Sequence, residues 1–511
     1  MAVQVNMMIG LLAVFKNIMN KNSSRKGENS SNGIADKRIG SMAMDMLQDA
    51  IIHPDPYLRN AASEALGRLL SIVGGNLVNT QMQLLVDQVV NNRDPDTRAG
   101  SALALGCIYS HVGEMAASSH LKTLVGIFIL LSLNSDLHLV VHFWALYVLA
   151  QVIESAGLMF SQYVSSTLGI IAKLYMADTH EPGGGSVGTT NVGLGFSAYQ
   201  QFGKIIYGLI GTLGPELQSS AKVRNLCLNL MIELRNDEEQ MVVMESIRCL
   251  QHFIMFAQQF VDLPRLVAFL QFQLSSKHLP LKEVAVTCLY QLVQKNAKHV
   301  FEVAVPGLDN QLFSLLDTDP TIDGVKDIVK SWLNQTAIDN PSIWVELCRK
   351  VMSKTGSVAS AGAPIEPPSL DISGNDDLDG TGKENNLVDE GGDEVEGFEV
   401  VVERTNVRNR ELEKKTKLIQ DSVQISPRWR TQLFALQCLH QVVEVISNSG
   451  DKDHFYLTVA KKKGVTGKDY LVLRVQELIK MAFTASTAVV GEMRLEGLTV
   501  LRNVIEVNIN S

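Results

Sequence analysis

Asp55-Pro56-Tyr57-Leu58-Arg59-Asn60-Ala61-Ala62-Ser63-Glu64-Ala65-Leu66-Gly67 is answered by Asp94-Pro95-Asp96-Thr97-Arg98-Ala99-Gly100-Ser101-Ala102-Leu103-Ala104-Leu105-Gly106. The second stretch lies thirty-nine positions after the first, and six identities fall in register: Asp55/Asp94, Pro56/Pro95, Arg59/Arg98, Ala65/Ala104, Leu66/Leu105 and Gly67/Gly106. Each has a physical task. The Asp-Pro pair makes a tight turn and starts a helix, because the aspartate can cap the first turn and proline lacks only an amide hydrogen that would go unpaired there. The small residues let helices approach closely, and the leucines fill the space between them.

Weaker copies continue the series. Ala145-Leu146-Tyr147-Val148-Leu149 follows Ser135-Asp136, Ser246-Ile247-Arg248-Cys249-Leu250 follows Asn236-Asp237, Cys288–Leu292 follows Pro280, and Val329–Leu333 follows Asp319-Pro320. The stretches Phe160–Ala177 and Phe202–Leu213 leave room for one more unit. A period near 40 residues with two helices per unit is the mark of HEAT and armadillo arrays. The expected fold is therefore all-α, a HEAT/armadillo-type α-solenoid of antiparallel helix pairs with essentially no strand over residues 1–353. Pro56–Gly67 resembles the HEAT repeat itself, and Pro95–Gly106 does so less strictly. That resemblance implies a structural role for the turn residues Asp55, Pro56, Arg59, Asp94, Pro95 and Arg98. In such repeats the arginine hydrogen-bonds turn carboxylates or helix-end carbonyls, and Asp55, Asp94 and Asp96 are the candidates here.

Composition points the same way. A chain of 511 residues is too long for one compact core. Hydrophobic residues make up 46% and aromatics 6%, a balance suited to stacked helices. The six cysteines (Cys107, Cys227, Cys249, Cys288, Cys348 and Cys438) form no C-x-x-C pair and mostly sit in apolar helical patterns. This is the usage expected of a reducing, cytoplasmic compartment. The apolar runs Met7–Phe15 and Leu124–Leu133 are short for a membrane span, and the first lacks a signal peptide's basic start and small-residue cleavage site. Both read as buried faces of repeat helices.

Charge divides the chain. Between Glu366 and Glu403 stand 13 acidic residues against Lys383 alone, −12 of the total −9, so the remainder carries about +3. That near-neutral remainder offers no footprint for general nucleic-acid binding. Residues 354–405, with their prolines, glycines and carboxylates, are too polar and too charged to offset the entropy of ordering, and read as a disordered acidic linker. The expected organisation is a solenoid over 1–353, this linker, and further HEAT-type helices over 406–511, including one near Arg410–Ile419, one over Thr431–Ile446 and a last over Met493–Val507. The last helix keeps an apolar face in need of a partner, and no polar cap covers the start. An internal segment of a longer protein is the expectation. Within the linker, Asp393–Glu403 sets Phe398 and four valines, among them Val400 and Val402, inside strong negative charge. Apolar groups with no core to join are open to a partner's pocket, so Phe398, Val400 and Val402 are candidate partner-binding residues; the alternative is that Phe398–Val402 packs back on the solenoid.

Chemistry-bearing patterns are few. Gly183, Gly185 and Gly188 satisfy G-x-G-x-x-G, but the stretch follows a helix and opens onto more loop, whereas a dinucleotide site needs a strand before and a helix after. His138 and His142 stand four apart on one helical face without a third metal ligand in reach of sequence. Lys461-Lys462-Lys463 beside Gly464 reads as a solvated turn, with phosphoinositide contact as the minor alternative. No catalytic set, cofactor or small-molecule substrate is expected, and the chain reads as a non-enzyme.

Taken together, the two Asp-Pro repeats, preceded by Ile52-His53-Pro54, and the acidic linker followed by Ser426-Pro427-Arg428-Trp429-Arg430-Thr431 resemble the HEAT repeat-containing protein five family of large clathrin-adaptor accessory proteins. The resemblance, which covers most of the chain, implies a scaffold for clathrin-adaptor-dependent traffic between endosomes and the trans-Golgi network. It also implies a cytoplasmic protein, peripheral on those membranes through adaptor complexes and their accessory subunits. A nuclear transport receptor and a regulatory scaffold for a phosphatase or kinase are HEAT arrays too, and stay open as alternatives.

Overall fold

The computed structural model describes residues 2–24, 37–113, 118–133, 139–180, 197–353, 428–463 and 469–510. Among these residues every regular element is helical and no strand occurs. The chain runs through α1 (Ala2–Ser24), α2 (Lys37–Ile51), α3 (Pro56–Val73), α4 (Asn76–Asn91), α5 (Pro95–Val112), α6 (Leu121–Leu133), α7 (Leu139–Ala156), α8 (Val164–His180), α9 (Ala198–Leu213), α10 (Ala221–Arg235) and α11 (Gln240–Ala257). It continues with α12 (Leu263–Gln273), α13 (Leu279–Val303), α14 (Leu308–Thr318), α15 (Val325–Thr336), α16 (Pro341–Ser353), α17 (Trp429–Asn448), α18 (Leu457–Lys463), α19 (Val475–Ser486) and α20 (Gly491–Asn510). Lys461-Lys462-Lys463, expected in a turn, instead closes α18.

Two compact units divide these helices: Met1–Asp262 with His278–Cys288, and Leu263–Lys277 with Leu289–Ser511. In the first unit α1, α3, α5, α7, α9 and α11 pack one on the next as an inner row. Each is backed by the helix that precedes it, α2 on α3, α4 on α5, α6 on α7, α8 on α9 and α10 on α11, which is the helix-pair architecture of a HEAT solenoid. The paired glycines Gly74 (φ 66°) and Gly75 (φ 67°) turn the chain from α3 into α4 through a backbone region costly for any residue with a Cβ.

The inner row is close-packed because its sequence is small where helices cross. Ala99 to Tyr109 of α5 are buried without interruption. A Cβ on Gly67 would stand 2.5 Å from the Cys107 carbonyl oxygen, and one on Gly106 would stand 2.7 Å from both Gln151 Oε1 and Val148 Cγ1. A Cβ on Gly100 would coincide with the Ile51 carbonyl oxygen and press on Arg59 Cδ. Around this socket Ala99, Leu103, Cys107, Phe143 and Trp144 form a core cluster, with Phe143 and Trp144 edge to face at 5.3 Å. The stretch Val140–Met176 is long and apolar enough to cross a membrane, but most of its apolar window is buried against neighbouring helices. It spans α7, a 3-10 segment from Gly157 to Tyr163 and α8.

The second unit holds one bent helix. Asn296 leaves the helical region (φ −157°, ψ 83°) inside α13. Its side chain then caps the resumed helix, Oδ1 accepting the His299 N–H at 3.1 Å. The ladder bond lost is the one from the Ala297 N–H to the Val293 carbonyl, and the amide of Gln335 on α15 takes both ends of it. Ala297 N–H donates to Gln335 Oε1 at 2.8 Å, and Gln335 Nε2 donates to the Val293 oxygen at 3.3 Å. A side chain inserted into the ladder is one of the few recognised causes of a sharp bend. Phe301, beyond the bend, stacks on Trp332 of α15 at 3.7 Å. Gln335→Leu should therefore leave two backbone groups unpaired, cost about 2 kcal/mol, and speed hydrogen exchange at the Ala297 amide above that of α15. Unchanged exchange at Ala297 would mean that the glutamine does not hold the bend.

On the far side of residues 354–427, α17 packs on α14, α15 and α16. The Thr431 hydroxyl donates to the Phe313 carbonyl at 3.2 Å, Arg428 Nε meets Asp317 Oδ2 at 3.3 Å, and Gln432 Nε2 reaches the Met352 carbonyl at 3.3 Å. Further on, Asp469 accepts from the Ser342 N–H and hydroxyl, both at 2.7 Å, and so caps the start of α16 from outside it. Residues on both sides of the acidic stretch thus belong to one compact unit.

Candidate interaction surface

The turn residues singled out by sequence are held as follows. Pro56 and Pro95 are the first residues of α3 and α5. Asp55 Oδ1 accepts the Leu58 N–H at 2.8 Å; Asp94 Oδ2 accepts the Thr97 N–H at 2.8 Å and the Thr97 hydroxyl at 2.6 Å. That pair of bonds holds the Asp94 carboxyl below its ordinary range. The Arg59 side chain is only 4% exposed, and its Nη1 donates to Asp96 Oδ1 at 2.9 Å and to the His53 carbonyl at 3.1 Å. Its guanidinium carbon stands 6.0 Å from the Trp144 ring centre, so one arginine touches three successive pairs. Arg98 Nε donates to the Val89 carbonyl near the end of α4 at 2.9 Å.

Two further arginines do the same and were missed in the sequence. Arg224 Nη1 donates to the carbonyls of Leu217 (3.2 Å) and Gln218 (2.8 Å) and lies 3.6 Å from the Phe260 ring centre. Arg494 Nη1 donates to the carbonyls of Ala488 and Val489, both at 3.0 Å. All four arginines are the fourth residue of their helices. A cation there opposes the positive helix N-terminus, and the carbonyls of the preceding turn offset it. The usable signal is an arginine three residues after a helix start; no Asp-Pro precedes Arg224 or Arg494 to mark it.

The outward stripe of the inner row begins with an ionic cluster. Glu64 Oε1 accepts from Arg68 Nη2 at 2.7 Å and lies 2.9 Å from His111 Nε2. The His111 hydrogen bond, helped by Arg68, pulls the Glu64 carboxyl from an ordinary 4.5 to about 2. The folded value lies below the unfolded one, so this stabilisation is complete above about pH 4.5 and is lost as pH falls through about 2. Glu64→Gln should flatten the stability profile in that window; an unaltered acid limb would show that the cluster does not form.

Three parallel helices then set out three aligned stripes. Tyr147, Gln151 and Glu154 rise from α7, Lys204, Tyr207, Gly208 and Gly211 from α9, and Arg248, His252 and Met255 from α11. The middle helix lies close against both others: a Cβ on Gly208 would stand 2.7 Å from Ile153 Cγ2 and one on Gly211 would stand 3.0 Å from His252 Cε1. Tyr207 and His252 stack face to face at 4.2 Å with 5° between the planes. Lys204 Nζ lies 5.8 Å from the Tyr147 ring centre. Beneath, Glu245 is 2% exposed, accepts Arg248 Nη1 at 2.9 Å, and is also hydrogen-bonded by Gln200. Burial raises its pKa against the pull of Arg248 and Lys204, and burial likewise lowers that of Lys204.

Other residues of interest carry no such arrangement. His142 is buried in α7, while His138 lies outside the described residues, and no cluster of metal-ligating side chains occurs among the described ones. Phe398, Val400 and Val402 also lie outside the described residues, as do the G-x-G-x-x-G glycines and Arg410–Ile419. In the second unit, α19 and α20 expose Ile479, Phe483, Leu495, Leu498 and Ile505.

Residues 470–508, which hold that last helix pair, match the Laa1/Sip1/HEATR5 HEAT repeat region. Protein SWEETIE of Arabidopsis thaliana is 29% identical over 456 residues, covering 88% of this chain and 18% of that protein. The chain thus spans about a fifth of the length of the curated relative it matches. Both findings show the resemblance drawn from the sequence: the chain is similar to the HEATR5-type HEAT proteins. Among solved structures, importin beta crystallised in an ammonium sulfate condition superposes with a TM-score of 0.53 at 11% identity, over 98% of this chain and 55% of that one. The structure on Kap95p binding and the switch loops of RanGDP gives a TM-score of 0.50 at 11% identity, over 99% of this chain and 55% of the other. At such identities the likeness is one of fold. The chain is a HEAT-repeat solenoid of scaffold type.

Proposed function

We propose that this HEAT scaffold is non-catalytic and supports clathrin-adaptor-dependent traffic between endosomes and the trans-Golgi network. The observation that carries the reading is the match of residues 470–508 to the Laa1/Sip1/HEATR5 region, together with similarity along 88% of the chain to a much longer HEAT relative. In this reading the protein is cytoplasmic and reaches membranes only peripherally, through adaptor complexes and their accessory subunits, without binding nucleic acid or a small-molecule substrate. Arg59 and Arg98 brace the array, and Phe398, Val400 and Val402 form a separable docking peptide.

Affinity purification of the full-length protein with mass spectrometry tests the first part. Adaptor subunits are the expected co-purifying proteins; a nuclear-transport GTPase, or phosphatase or kinase subunits, would replace this reading with one of the alternatives. For the second part, a peptide spanning Leu387–Arg404 should bind a co-purified partner in isolation, weakly and less well at high salt, and Phe398→Ala should abolish binding. Protection of Phe398–Val402 from hydrogen exchange in the isolated chain would instead assign those residues to its own core.

A further inference from the structure

Helices α6 and α8 lie side by side in the layer that backs the inner row. Lys122, Gly126, Leu130 and Leu133 recur at helical spacing on the exposed face of α6, and Gly169, Lys173 and Met176 on that of α8. Leu130 is 68% exposed, Met176 52% and Leu133 38%. A Cβ on Gly126 or on Gly169 would meet nothing within 4 Å, so the surface over the middle of both helices is open. At the start of α8, Leu158 of the preceding 3-10 segment is 78% exposed.

Charge and the lack of directional groups decide what suits this face. Lys122 and Lys173 are exposed, and neither is ion-paired with a described residue. No carboxylate, guanidinium, amide or imidazole side chain occurs in α6, nor in α8 as far as Met176. The backing helices before and after them differ, with Asp87 exposed on α4 and Glu233 on α10. A folded protein partner is fixed in one orientation by directional hydrogen bonds and bidentate ion pairs, and this face has few groups to make them. Aliphatic side chains flanked by free ammonium groups instead match a fluid surface that is negative outside and apolar beneath. A single exposed leucine would mean nothing. Here large apolar side chains share one open face with unpaired cations and no anion.

We propose that the outward face of α6 and α8 rests on an anionic lipid surface, with Leu130, Leu133 and Met176 entering its interfacial region and Lys122 and Lys173 meeting its headgroups. This goes beyond the adaptor-mediated attachment read above. It adds a weaker hold on the membrane that the chain itself supplies.

Co-sedimentation of the whole chain with vesicles tests this, one set made of phosphatidylcholine alone and one of phosphatidylcholine and phosphatidylserine in equal parts. The mixed vesicles should bind the chain about tenfold better than the neutral ones. Leu130→Glu, and separately Lys122→Glu with Lys173→Glu, should each weaken that binding about tenfold. Raising salt from about 0.05 to 0.5 M should weaken it several-fold. The three substituted residues are exposed, so an unchanged urea midpoint should accompany each loss. Leu495→Glu is the control, because that leucine of α20 is as exposed (69%) but lies elsewhere, and it should change nothing. Absent binding to the mixed vesicles, equal binding to both kinds, or equal losses in Leu495→Glu and Leu130→Glu would each overturn the assignment. The scaffold reading stands or falls separately, by co-purification.

Discussion

Replacing Gly100 by alanine should lower the stability of the first compact unit by about 3 kcal/mol, at the upper end of what overpacking costs. A single methyl is enough because its place is already taken by the Ile51 carbonyl oxygen, which is backbone and cannot rotate away, and by the Arg59 side chain crossing beside it. Gly67→Ala, directed at the Cys107 carbonyl, should cost less but have the same sign. Gly126 in α6 supplies the control: nothing lies within 4 Å of a Cβ there, so Gly126→Ala should stabilise by up to about 1 kcal/mol through helix propensity alone. Urea unfolding of the three variants measures all of this. If Gly100→Ala and Gly126→Ala share a midpoint, α5 does not approach the end of α2 and the Arg59 side chain as closely as described.

Arg59→Met should be the next most damaging change, at about 2–3 kcal/mol. Methionine keeps much of the packing volume but leaves the His53 carbonyl and Asp96 without their donor. Asp96 is 43% exposed, so water recovers part of its loss, and the larger share belongs to the half-buried His53 carbonyl and to the packing lost with the guanidinium. Arg494 makes two carbonyl bonds of similar length from an exposed position. Arg494→Met should therefore stay within about 0.5 kcal/mol. Equal effects at the two positions would contradict the view that burial, and not bond number, sets the contribution of these arginines.

Much of the architecture was legible in two aligned stretches of thirteen residues. Asp55-Pro56 and Asp94-Pro95 encode a cap and a helix start in local chemistry, and their spacing encodes the helix pair. Local chemistry is also the limit of such a reading. The bend at Asn296 is held by Gln335, which lies on another helix, so nothing near Asn296 distinguishes it from an ordinary helix-interior residue. Residues 354–405 read as a linker from composition alone, and composition gives no sign that Thr431 bonds to Phe313, more than a hundred residues earlier. The contacts among α7, α9 and α11 were invisible for a third reason. Tyr147, Lys204, Tyr207, Arg248 and His252 come from three repeats with different turns, and each alone is an unremarkable helix residue. Only the glycines of α9 hint that its neighbours come close.

All six cysteines are buried, one each in α5, α10, α11, α13, α16 and α17, and burial pushes their thiols upward in pKa. A thiol in that state reacts with an alkylating reagent only when its surroundings open. The chain therefore carries its own set of kinetic probes. Cys107, Cys227 and Cys249 time the opening of the first compact unit, and Cys348 and Cys438 that of the second. Labelling rates followed cysteine by cysteine would separate unfolding of one unit from unfolding of the other without a single engineered mutation.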